Sequence, residues 1–152
     1  VEHFDQVIAF EPVEEFRKCF ERNVKKSNYI MHPCALGREE SFINMNIVEG
    51  NTGHSHIDTS SIGQGTIPLK TLDSFNFDNI DMIKIDVEGF EEEILAGAEQ
   101  TILRNKPILA IEQQKHEYKD AMVELPSVRM LERWGYKVVG QVKKDWILKW
   151  TD

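Results

Sequence analysis

The chain holds 152 residues, 41% of them hydrophobic and 29% charged, which is enough for one globular core without a metal or disulfide staple. Its 18 Lys and Arg against 26 Asp and Glu leave a formal charge of −8, and the positives are scattered, with short runs such as Lys25-Lys26 and Lys143-Lys144. That balance argues against nucleic acid and against an anionic membrane surface as partners.

Apolar runs of strand length alternate with amphipathic stretches of helix length, the pattern of βαβ units around a parallel sheet. Gln6–Phe10 predicts a buried strand that ends at Glu11-Pro12. Pro12 is suited to open a helix over Glu14–Asn23, with Phe16, Cys19 and Phe20 as its apolar stripe. Asn28–His32 predicts a second short strand, and Pro33–Gly37 a loop bracketed by Pro and Gly. Residues 41–69 are rich in Ser, Thr, Asn and Gly, with β-like pieces at Ser41–Val48 and Gly65–Leu69. They predict a partly exposed antiparallel excursion or a flexible flap.

Ile80–Asp86 predicts a further strand, and Glu88–Leu103 a helix with Phe90, Ile94, Leu95, Ala98 and Ile102 on one face. Glu88, Glu91, Glu92 and Glu93 crowd its first turns, where carboxylates complement the positive end of the helix dipole. Pro107–Glu112 reads as a buried strand and Pro126–Trp134 as a helix stopped by Gly135. The end reads as a hairpin, Tyr136–Val142 and Trp146–Trp150 around a Lys143-Lys144-Asp145 turn. The expected architecture is a single three-layer α/β domain, its mostly parallel sheet closed by an antiparallel last strand. Cys19 and Cys34 form no Cys-x-x-Cys pair, no stretch approaches the roughly 20 apolar residues of a membrane span, and no signal peptide opens the chain. The expectation is a soluble, cytoplasmic protein.

Three predicted strands end in a carboxylate: Glu11, Asp86 and Glu112. In open parallel α/β sheets, ligands bind in the crevice beyond the C-terminal strand edges, so these acids point to a cofactor crevice. An acid in the position of Glu11 commonly accepts hydrogen bonds from ribose hydroxyls; the lesser alternative is a cap on the helix opened by Pro12. Lys84, between Ile83 and Ile85, either snorkels to the surface or pairs with Asp86. His54, His56 and Asp58 alternate, so an extended strand would project all three to one side, where they could hold Zn²⁺. The segment is loop-like and lacks an obvious distal ligand, so no metal site is assigned.

The string Lys84-Ile85-Asp86-Val87-Glu88-Gly89-Phe90-Glu91 follows Thr71-Leu72-Asp73-Ser74-Phe75 and precedes Leu95-Ala96-Gly97-Ala98. Together with Ala9-Phe10-Glu11-Pro12, Ala35-Leu36-Gly37 and Ile111-Glu112, this order and spacing resembles the FkbM family of S-adenosylmethionine-dependent methyltransferases, from about Val7 to Trp150. The resemblance implies a Rossmann-like methyltransferase fold and O-methylation of a hydroxyl on a sugar or secondary metabolite. It implies that Glu11 holds the cofactor ribose, that Cys34 and Ala35 lie beside the adenine, and that Asp86 faces the methionine end or the reacting centre. Methyl transfer from a sulfonium depends on alignment and on a base for the hydroxyl proton. Asp86, Glu88, Glu112 and His116 are the base candidates.

The family carries a first strand and a Gly-rich turn ahead of the position of Val7; here six residues precede it, and no Gly-x-Gly-x-Gly occurs. The expectation is an N-terminally truncated piece of a longer methyltransferase. Its Gln6–Phe10 and Asp81–Ile85 strands should pair directly unless another chain fills the gap. A homodimer formed there is compatible with that break. The alternative function is a non-catalytic α/β domain whose sheet edge serves oligomerisation or binding.

Overall fold

The computed structural model describes residues 3–48, 55–112 and 125–151. Strands β1 (Val7–Phe10) and β2 (Tyr29–His32) pair in parallel, with helix α1 (Glu14–Asn23) as the crossover between them. A second sheet joins β3 (Ala35–Leu36), β4 (Ser41–Asn46), β5 (His56–Asp58) and β6 (Ile67–Lys70) in the order β3-β6-β4-β5. In it, β3 runs parallel to β6, and β4 runs antiparallel to both β5 and β6. The third sheet has β7 (Met82–Ile85), β8 (Ile108–Glu112), β9 (Tyr136–Val142) and β10 (Asp145–Trp150) in the order β7-β8-β10-β9. There β7 and β8 are parallel, whereas β10 is antiparallel to β8 and β9.

The core follows from the apolar periodicity. Leu109 and Ile111 of β8 and Leu148 of β10 are wholly buried. Beside them in one cluster are Ile94 and Leu95 of α2 (Glu91–Ala96), Ile102 of α3 (Glu99–Asn105), and Val128 and Leu131 of α4 (Pro126–Arg133). The continuous apolar run of β8 is what a strand covered on both faces needs. Ile43 and Leu69 carry the same cluster into the second sheet.

The helix expected over Glu88–Leu103 starts three residues later and is split in its middle. Glu88 and Gly89 have left-handed backbones, φ 52° and 97°, so the helix cannot begin before Glu91. It then breaks at Gly97 because another backbone arrives there: a Cβ on Gly97 would lie 2.0 Å from the carbonyl oxygen of Gly37. The junction is hydrogen-bonded on both sides. Gly37 N donates to the Lys70 carbonyl at 2.9 Å, and Asp73 N donates to the Gly97 carbonyl at 2.9 Å. The Asp73 carboxylate then accepts from Thr101 N at 2.7 Å and Gln100 N at 3.2 Å, two of the N–H groups that the first turn of α3 leaves unpaired.

The expected pairing of the Gln6–Phe10 and Asp81–Ile85 strands does not occur: β1 pairs with β2, and β7 with β8. Beyond the β1–β2 ladder, ring contacts tie this sheet to the segment carrying Phe75. Phe10 stacks on His32 at 5.1 Å, and both rings meet Phe75 edge-on at 5.2 and 4.8 Å. Met82 and Lys84 of β7 are exposed, and among the described residues of this chain β7 pairs with β8 alone. The terminal hairpin turns on Lys143 and Lys144 alone, with Lys143 at φ 55°; Asp145 belongs to β10, opposite Val142 and Glu112. Ala35 and Leu36 form a strand within the predicted 33–37 loop.

Substituting Gly97→Ala should lower stability by about 1–3 kcal/mol through overpacking against Gly37. Gly140→Ala, with nothing within 4 Å of the added methyl, should stay within about 0.5 kcal/mol of wild type. Urea denaturation of the two variants is the check, and equal losses would refute the close-contact account.

Candidate functional site

Glu11 lies one residue beyond β1, half-buried, because Pro12 and Val13 turn the chain into α1. Its Oε1 accepts from Val13 N at 2.7 Å, and Arg17 Nη1 donates to the carbonyls of Glu11 and Pro12 at 2.7 and 2.8 Å. One oxygen holds the turn that leads into α1 through Val13 N, without capping the helix itself, and Oε2 has no hydrogen-bond partner among the described residues. Burial pushes its carboxyl above the ordinary 4.5, outweighing the Val13 hydrogen bond and the Arg17 charge, which lower it. Cys34 and Ala35 are buried beyond the C-terminal end of β2, and burial raises the Cys34 thiol against the charges of Lys70 and Arg17. An open groove of about 580 Å³ lies nearby, between Pro12, Val13 and Arg17 on one side and Asn44, Met45 and Ile67 on the other.

The second group of acids surrounds the C-terminal ends of β7 and β8. Asp86 lies one residue past β7, and its Oδ2 receives Lys84 Nζ at 3.2 Å. The same ammonium reaches Asp145 Oδ1 of β10 at 2.6 Å. Glu112 closes β8 opposite Asp145 and faces Lys144 Nζ at 3.4 Å. Partial burial pulls the Lys84 ammonium down, but its hydrogen bonds to Asp145 and Asp86 and their charges win and hold it above its ordinary value. Glu88 is half-buried, and among the described residues no hydrogen bond or ion pair engages its carboxylate. His116 lies outside the described residues. The structure therefore brings Asp86 and Glu112 to one sheet edge and Glu11 and Cys34 to another, with no hydrogen bond or ion pair between the two groups.

Three residues of this region were not singled out from the sequence. Asp145 reads as a turn residue, and only the pairing of β10 with β8 reveals it. Asp73 stood within the family-like string without a role; it caps α3 from 26 residues upstream of Glu99. Glu91 reads as one of four dipole acids, yet it is buried and its Oε1 accepts from Gly89 N at 3.0 Å, fixing the turn that carries Glu88. In the His-x-His-x-Asp segment, Asp58 caps a 3-10 turn by accepting from Ser60 N and Oγ at 3.1 and 2.6 Å, and His54 lies outside the described residues. Among the described residues no group of three or more His, Cys, Asp or Glu could hold a metal ion, and no helix is long and apolar enough to cross a membrane.

A mixed α/β fold with carboxylates beyond the C-terminal ends of parallel-paired strands defines the class of domain. Residues 5–138 match the family model described as the Methyltransferase FkbM domain, and the chain belongs to that family. The crystal structure of Methyltransferase FkbM from Methylobacillus flagellatus KT is similar, with a TM-score of 0.57 and 19% identity. That likeness covers 97% of this chain and 37% of that one, so the chain spans little more than a third of that protein's length. At such identity it shows the fold alone. No curated protein matches the chain.

The raised carboxyl of Glu11 fixes the sign of one pH effect. The folded state holds the proton more tightly than the unfolded chain does, so this contribution to stability is complete below 4.5 and is lost as the pH rises through the folded value above it. Urea midpoints of wild type and Glu11→Gln, compared from about pH 4 to about pH 7, should show the loss in wild type alone.

Proposed function

We propose that this domain serves S-adenosylmethionine-dependent O-methylation of a small-molecule hydroxyl, of the sugar or secondary-metabolite kind, within a three-layer Rossmann-like arrangement. The observation that carries the reading is the position of Glu11 beyond β1: a half-buried carboxylate that retains a free oxygen where a ribose would lie. A carboxylate offers about four lone-pair directions, and the Val13 N–H uses one, so the remaining acceptor positions suit two donating ribose hydroxyls. Cys34 and Ala35 supply the buried, uncharged neighbourhood an adenine needs.

S-adenosylmethionine, when bound, supplies a methyl group on a cationic sulfonium, electrophilic toward a hydroxyl oxygen. Asp86 provides negative potential at the β7 edge, favouring a cation there. Among the described base candidates, Asp86 and Glu112 are each engaged by a lysine ammonium. Glu88 is not, and its left-handed backbone is the kind of strained geometry that clusters at functional sites. We therefore assign the hydroxyl proton to Glu88. Alignment of the acceptor falls to the groove beside α1, whose size is that of small-molecule pockets.

Calorimetric titration of S-adenosylhomocysteine into the chain tests the reading. Saturable binding is expected, weakened at least about tenfold by Glu11→Ala and by Asp86→Ala and changed by no more than about twofold by Glu88→Gln. A folded sample that fails to bind overturns the reading for this chain and favours the non-catalytic alternative. Self-association through the open strand edges belongs to the same proposal, and a strictly monomeric sedimentation boundary at high concentration removes it.

A further inference from the structure

Lys84 stands on β7 in register with Ala110 of β8, which in turn faces Ile147 of β10. Partners in a ladder project to the same face of a sheet, so the lysine stem crosses above the smallest side chain available on β8. Its ammonium thereby reaches Asp145, two strands away, at 2.6 Å, while staying 3.2 Å from Asp86. Asp145 is itself fixed, because it begins β10 and pairs with both Val142 and Glu112. A link therefore runs from the terminal hairpin across the central strand to the carboxylate beyond β7.

The exposure of this link decides what it is good for. Lys84 is 45% and Asp86 43% exposed, and ion pairs that open to water contribute little to folding stability. Orientation is a different matter. An aspartate one residue past a strand end is free to rotate about its side chain, and a single fixed ammonium selects one direction for it.

We propose that Lys84, anchored by Asp145, is a positioning residue that holds the Asp86 carboxylate toward the bound cofactor, making the terminal hairpin part of the binding site. This rests on the reading of Asp86 as a cofactor-facing group. The link neutralises one charge of the acidic edge and keeps the other carboxylate oxygen of Asp86 available. The sequence hides it, since Lys84 and Asp145 are 61 residues apart.

Calorimetry with S-adenosylhomocysteine on wild type, Lys84→Met, Lys84→Arg and Asp145→Asn tests it. Lys84→Met should weaken binding about five- to tenfold and Asp145→Asn in the same direction by less, while Lys84→Arg returns to within about twofold of wild type. In an Asp86→Ala background, Lys84→Met should cause no further loss, because the two act through one group. Melting temperatures should move by no more than about 3 °C in the lysine variants. Wild-type binding that Lys84→Met leaves intact, or a full additional loss in the Asp86→Ala background, overturns the proposal and leaves the cofactor reading standing. Absence of binding to wild type overturns that reading and the positioning role with it. The anchor is checked without ligand by NMR: a slowly exchanging Lys84 ammonium resonance should be present in wild type and lost in Asp145→Asn. Its absence in wild type also overturns the proposal.

Discussion

The contact between the Gly97 backbone and the Gly37 carbonyl governs more of this structure than any single side chain. It forces the break between α2 and α3, and it brings the strand carrying Ala35 and Leu36 against the helices that cover β7 and β8. Asp73 then locks the break from the other side, with its N–H on the Gly97 carbonyl and its carboxylate on the start of α3. Two glycines and one aspartate thereby set the distance between the Cys34–Ala35 region and the turn Asp86–Gly89. A methyl group at Gly97 has no room to be absorbed by rotamer adjustment, since what it meets is backbone.

Several residues that look chemical in the sequence are structural, and the reverse also holds. Asp73, Gly37, Gly97 and Ala98 recur in a motif-like string, and their shared physical content is a helix cap, a close backbone approach and a packed small side chain. Glu91 joins them by holding Gly89 N. Lys84 runs the other way: of its two sequence readings, surface snorkelling or a pair with Asp86, the structure shows the pair and adds Asp145 as a second partner.

What was legible in the sequence was local. Glu11, Asp86 and Glu112 were placed at strand ends because runs of Val, Ile, Ala and Leu stop abruptly at a carboxylate, and the strands do end there or one residue earlier. The antiparallel pieces within 41–69 were legible from their short β-like runs and turn-rich composition. The break at Gly97 was not, because its cause lies 60 residues upstream at Gly37. Asp145 was not, because a turn of two residues and a turn of three differ only in the pairing that follows. The cost of open edges argues for direct pairing of β1 with β7, yet within this chain β1 pairs with β2 and β7 with β8, and an aromatic cluster packs beside β1.

That last difference bears on the site. With β1 and β7 in separate ladders, Glu11 and Asp86 are not held to one another by backbone hydrogen bonds. Among the ring contacts that relate them are those of Phe10 and His32 with Phe75, two residues after Asp73 in the same 3-10 turn. Ring contacts of about 5 Å tolerate small rotations that a strand ladder does not. A ligand spanning both acids would therefore act as a cross-link between two sheets, gaining affinity from the acids and losing some of it to the order it imposes. On the Asp86 side much of that ordering is already done, because Lys84 ties the carboxylate to β10. On the Glu11 side the Val13 N–H does the same for one oxygen. Under the proposed function, each of the two acids is therefore organised within its own sheet, and the relation between them is what a bound cofactor would have to fix.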